Sequence, residues 1–143
     1  MVFNITVKYL SFLKHVPVLP HLFEALLKVE TFVTDKPVLD YIDEIENVVL
    51  SWEQTSVQPH KFGGTQFNVG LKEIGHIHGN GLLDIPFSKA IKAQVIQEYE
   101  GRVKDHHIFK NSGWISFYIR NASDKELAIK LLMRSYDLKG GTN

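Results

Sequence analysis

The sequence predicts an α+β fold: N-terminal helices, a mainly antiparallel sheet interrupted by one helix, and a closing C-terminal helix. Three observations predict it. Up to about position 50 the apolar residues recur at helical spacing. From Phe67 onward they alternate with polar ones, the period of a half-buried strand. Short glycine turns, Gly63-Gly64 and Gly79-Asn80-Gly81, separate the alternating runs, as antiparallel neighbours require.

Each element has its own signal. Residues 2–14 read as a first helix, ended by Pro17. Pro20 suits the start of a second, with Leu22, Phe23, Leu26 and Leu27 at helical spacing. A third starts at Pro37 with the stripe Val38, Tyr41, Ile42, Ile45, Val48 and Val49. Its other face carries Asp40, Asp43, Glu44 and Glu46 and is incompatible with a phosphate backbone. Phe67, Val69 and Leu71 mark a strand over residues 66–71, with residues 55–58 as its partner. A hairpin over residues 73–78 and 82–86 follows. Ser88 caps a helix that stops at Gly101. Residues 103–109 read as a short strand and residues 114–120 as a clear one. Ser123-Asp124-Lys125-Glu126 reads as a capping box for the last helix, ended by Gly140-Gly141. Ile77, Leu83, Ile85, Ile115, Phe117 and Ile119 are the expected core faces of the strands.

Composition narrows the function. At 143 residues the chain suits one domain, with residues 1–34 as a helical extension and 35–139 as the core. Its 16 basic residues balance 16 acidic ones, which weighs against a nucleic-acid partner. There is no cysteine, so disulfides, zinc–thiolate sites and a cysteine nucleophile are excluded. That usage fits a cytoplasmic protein. Lys8, Lys14, Pro17 and Pro20 interrupt the apolar N-terminus, so no transmembrane segment is expected. Residues 2–29 remain a candidate for peripheral membrane contact, because Lys8 and Lys14 accompany Tyr9 and Phe12.

The chemistry concentrates at Gly75-His76-Ile77-His78-Gly79-Asn80-Gly81-Leu82-Leu83-Asp84. A two-residue turn would pair His78 with Leu83 and His76 with Ile85. A three-residue loop would pair His78 with Leu82 and His76 with Asp84. The second register sorts polar from apolar more cleanly and puts Gly81 at a left-handed position. A carboxylate across from an imidazole orients the ring or favours its charge, so His76 and Asp84 are the candidate catalytic pair. His76 and His78, at i and i+2 on a strand, share a face and are the candidate ligands of a divalent metal. A histidine beside an aspartate also serves simply as a hydrogen-bonded pair. His106-His107 adds a third candidate metal ligand. Only one of the two can join, since neighbours on a strand point to opposite faces. On residues 114–120 the outward set is Trp114, Ser116, Tyr118 and Arg120, two amphipathic aromatics with a hydroxyl and a guanidinium. With His76, His78 and Asp84 they make the candidate ligand-binding face. Lys104, His106, His107 and Lys110 form a small basic stretch suited to an anion. No Walker loop, Gly-x-Ser-x-Gly elbow, flavin fold or nicotinamide fold is visible.

The hairpin, with Phe62-Gly63-Gly64 before it and Ser112-Gly113-Trp114-Ile115-Ser116-Phe117-Tyr118 after it, resembles the small luciferase-domain proteins of bacteria and fungi over about residues 40–138. That resemblance implies a fold and a candidate surface rather than a reaction. The elements from Phe67-x-Val69 and Lys72 through Tyr99-Glu100-Gly101, His107, Lys110 and Trp114-Ile115-Ser116 to Ser135-Tyr136-Asp137-Leu138 also resemble MmcQ/YjbR-like domains. This second likeness implies a compact sheet with helices on one side, and DNA or protein partners. Three readings follow: a small-ligand- or protein-binding module, a His–Asp enzyme with or without a metal, and a nucleic-acid-binding domain.

Overall fold

The computed structural model describes residues 18–140. The proposed first helix over residues 2–14 lies outside them. Four helices are present among the described residues: α1 (Val18–Thr34), α2 (Lys36–Leu50), α3 (Lys89–Glu98) and α4 (Ala122–Leu138). The strands are β1 (Thr55–Pro59), β2 (Thr65–Val69), β3 (Lys72–Ile77), β4 (Leu82–Pro86), β5 (Lys104–Asp105) and β6 (Trp114–Tyr118). They form one sheet in the order β1-β2-β3-β4-β6-β5, every neighbouring pair antiparallel. The α+β class is that read from the periodicities.

Alternation divides the sheet into two faces. Phe67, Ile77, Leu83, Ile85, Ile115 and Phe117 point to one side and meet Val38, Ile42, Ile45 and Val49 of α2 and Leu127, Leu131 and Leu132 of α4 in one buried cluster. The other side carries a polar row across the whole sheet: Gln58, Gln66, His76, Asp84, Ser116 and Lys104 are successive cross-strand partners. On the same face, two residues along β4 and β6 from Asp84 and Ser116, α1 packs Phe23 and Leu27 against the pair Leu82 and Tyr118.

Several boundaries differ from the sequence reading. Leu71 is fully exposed in the β2–β3 turn, where Gly70 has φ +56°, and so does not continue the alternation. The capping box sits two residues early. Asn121, already extended at φ −152°, accepts the Asp124 N–H, and Asp124 accepts the Arg120 N–H in return. The strand expected over residues 103–109 stops at Asp105. Beyond it Lys92, buried on α3, donates to the carbonyls of Lys110 and Ser112 and pairs with Asp105, folding the chain into a pinned loop. On α1, Leu22 and Leu26 face solvent while Glu24 and Thr31 are buried, the reverse of an ordinary amphipathic helix. No helix among the described residues is long and apolar enough to cross a membrane.

Candidate functional site

The hairpin register places the histidines. His76 pairs with Asp84 and Ile77 with Leu83. His78 N–H donates to Leu82 O and Gly81 N–H to His78 O, each at 2.9 Å, closing a three-residue loop. Gly81 adopts φ +82°, and a Cβ there would lie 2.8 Å from Ile119 O, so both conformation and space ask for glycine.

Asp84 is the hub. It has no exposed surface. Its Oδ1 accepts a short hydrogen bond from Ser116 Oγ. Its Oδ2 completes no hydrogen bond although three imidazole nitrogens converge on it. His76 Nε2 lies at 3.3 Å, His106 Nε2 at 3.6 Å and His78 Nε2 at 3.8 Å. His107 Nδ1 stands 3.9 Å from Oδ1. His60 stacks flat on His76 with ring centroids 3.8 Å apart, and Trp114 tilts over His76 at 5.4 Å. Four of the seven histidines therefore gather around one carboxylate, with His60 stacked behind His76.

The far ring nitrogens identify the tautomers. His76 Nδ1 donates to Glu73 Oε1 at 2.7 Å, and His78 Nδ1 to Glu24 Oε2 at 3.2 Å. Glu24 also accepts the Gly79 N–H, which fixes α1 to the hairpin loop. His106 is reversed: its Nδ1 accepts the N–H groups of Ile108 and Phe109 at 3.1 and 3.0 Å, so its neutral ring carries the proton on Nε2.

Electrostatics separate the rings. Burial opposes charge on His76, but the carboxylates of Asp84 and Glu73 outweigh it and raise the ring to about 9. Burial, reinforced by the charge of His76, lowers His60 to about 4. Burial likewise takes His106 to about 4 against the pull of Asp84, and depresses His107. Burial would raise Asp84, yet His76, His106 and Ser116 hold it below the usual carboxylate value. His76 is therefore an imidazolium at neutral pH.

His76, His78, Asp84, Ser116 and Trp114 come together. Tyr118 pairs with Leu82 two residues along the strands from the row, beside Leu27, and the Arg120 guanidinium stacks on the Tyr118 ring at 4.3 Å rather than joining the histidines. Both His106 and His107 reach Asp84, correcting the expectation that only one can: they stand on the pinned loop, not on a strand, with rings stacked at 4.3 Å. His106 is thereby withdrawn from the basic stretch.

Sequence reasoning missed three members. His60 follows the last residue of β1, and its approach to His76 depends on the order of three strands. Glu73 and His76 should face opposite sides at i, i+3, but a register shift opposite Phe67 and Asn68 makes Ile74 an extra residue of β3 and turns Glu73 onto the histidine face. Glu24 sits 54 residues from His78 on an element with no sequence link to the hairpin.

The fold and this cluster define a small α+β domain with a buried histidine–aspartate face. Residues 71–135 match the family model described as Luciferase domain, so the family likeness carried by the hairpin and the Gly113-Trp114 strand is shown. The chain is also similar in structure to Deinococcus radiodurans protein DR2400, with domain DUF419, at a TM-score of 0.56 and 16% identity, covering 71% of this chain and 81% of that one. At that identity the likeness speaks for the fold alone. No curated protein matches the chain, and the comparisons do not show the MmcQ/YjbR likeness.

Proposed function

We propose that this domain binds a small ligand at the buried face of His76, His78 and Asp84, with Trp114 as a wall. The observation that carries the reading is the bare Oδ2 of Asp84: a fully buried carboxylate oxygen with no completed hydrogen bond, ringed by imidazoles. A buried polar atom in that state is costly and calls for an occupant. Burial also favours a small ligand over a protein partner, since His76, His78, Asp84 and His106 are each less than a tenth exposed. The test is native mass spectrometry of protein purified without chelators, beside Asp84→Asn. Wild type should carry an added mass that the variant lacks. In parallel, small acids and alcohols titrated with chelator present should move the histidine ring signals in 15N NMR. Finding neither an added mass nor a ring shift would dispose of the reading.

A second reading, a His–Asp acid–base enzyme, draws on the charge held by His76 next to Asp84 and Glu73. It expects turnover of activated esters that disappears in His76→Gln. Wild-type protein with no turnover above buffer would set it aside.

A further inference from the structure

We infer that the occupant of this face is a single first-row divalent transition-metal ion, held by His76 Nε2, His78 Nε2 and Asp84 Oδ2. The inference rests on the ligand-binding reading above and names the ligand.

The spacing supports it first. These donor atoms lie within 4.8 Å of one another, and Oδ2 stands 3.3 and 3.8 Å from the two nitrogens. Donors bound about 2.0–2.1 Å from a tetrahedral ion stand about 3.3–3.4 Å apart. The gaps between them suit a single ion.

Tautomers supply the second argument. Glu73 and Glu24 accept from the Nδ1 atoms of His76 and His78. In the metal-free protein His76 Nε2 carries a proton toward Asp84; a bound ion would take that proton's place, leaving both Nε2 atoms turned toward the carboxylate oxygen as ligation requires. A carboxylate behind each ligating imidazole is the usual support of a metal site. His106 acts otherwise. With Nδ1 committed to two backbone donors, its Nε2–H points at Asp84 and steadies the carboxylate rather than ligating.

Charge is the third. Asp84, Glu73 and Glu24 bring three carboxyl groups to a face with no lysine or arginine paired to any of them among the described contacts. A dication offsets two of the three negative charges. Imidazole and carboxylate donors without thiolate favour first-row ions such as Zn2+, Co2+ or Fe2+ over Mg2+ and Ca2+. Three protein ligands leave a position open for water or a further ligand.

The test is titration of the chelator-treated full-length protein with Co2+, read by visible absorption. We expect one equivalent to give the intense bands of a four- or five-coordinate site, displaced by Zn2+ and not by Mg2+ or Ca2+. His78→Ala and Asp84→Asn should abolish the bands with the far-UV circular dichroism unchanged. His106→Gln should keep them. Glu73→Gln and Glu24→Gln leave all three ligands in place and should weaken binding about 10–100-fold, so the inference stays testable if a ligand variant misfolds. Absence of the bands in wild type, their survival in Asp84→Asn, or displacement by Mg2+ would overturn it. If Co2+ does not bind but the native protein carries an organic mass lost in Asp84→Asn, the metal falls and the ligand-binding reading stands. If neither is seen, both fall.

Discussion

The two faces of the sheet are built from the same strands and do opposite work. On β3, β4 and β6 the odd-numbered residues Ile77, Leu83, Ile85, Ile115 and Phe117 bury apolar surface under α2 and α4. The even-numbered residues His76, Asp84 and Ser116 bury polar groups and leave one carboxylate oxygen without a completed hydrogen bond. The apolar face stabilises the domain, and that surplus lets the opposite face hold a costly polar cluster. The two helices beside the faces repeat the contrast. The buried stripe of α2 is wholly apolar, whereas α1 seats Glu24 against His78 and leaves Leu22, Leu26, Val29 and Phe32 in solvent.

Substitutions on each side test the division. The largest effect belongs to the apolar face: Phe117→Ala should cost about 3–5 kcal/mol in urea denaturation, as for other buried aromatics. A loss below about 1 kcal/mol would mean that this face is not the stabilising one. Asp84→Asn, measured with chelator present, removes the charge that His76 and Ser116 contact and should cost about 2 kcal/mol, within the range for charge-assisted hydrogen bonds. A stability gain would show that the buried charge is a net burden.

Gly79→Ala strikes the seat of α1. The new Cβ would lie 2.4 Å from Lys28 Cγ and 2.8 Å from Glu24 Oε1, so those side chains must give way and the Glu24 anchor of the helix is disturbed. The expected loss is about 1–2 kcal/mol, with faster proteolysis at the α1–α2 junction near Asp35. Unchanged proteolysis would mean that α1 adjusts in place.

The metal-free protein should show a stability maximum near pH 6.5, with opposite causes on the two sides. His60 and His106, lowered from 6.5 to about 4 in the fold, contribute stability that is present above 6.5 and lost as pH falls toward 4. His76, raised to about 9, contributes stability that is full below 6.5 and lost as pH rises through 9. Ring 15N titrations should find His76 charged longest as pH rises. A His76 that titrates with its neighbours near 6 would remove the alkaline limb. The smallest effect is expected at Leu26→Ser on the outer face of α1, within about 0.5 kcal/mol of wild type, because that side chain is already in solvent. A large loss there would show that the outer face is covered.

The sequence by itself determined whatever depended on neighbours along the chain. Alternation and the glycine at 81 chose the hairpin register, because a slip of one residue would expose Ile77 and Leu83 together. The same alternation named Phe117 and Ile115 as core and put Ser116 on the face of Asp84. Ser88 capped its helix as expected because capping is a contact three residues long. Tertiary structure alone decided the rest of the cluster. His60 reached His76 through strand order, Glu73 through an extra residue opposite β2, and Glu24 through the docking of a separate helix. His107 joined His106 because Lys92, on α3, bent their segment out of strand geometry. Periodicity reports which side of its own element a residue occupies. It carries no information about which other elements pack there, and four of the groups around Asp84 and its two hairpin histidines arrive from such elements or from a local break in the period.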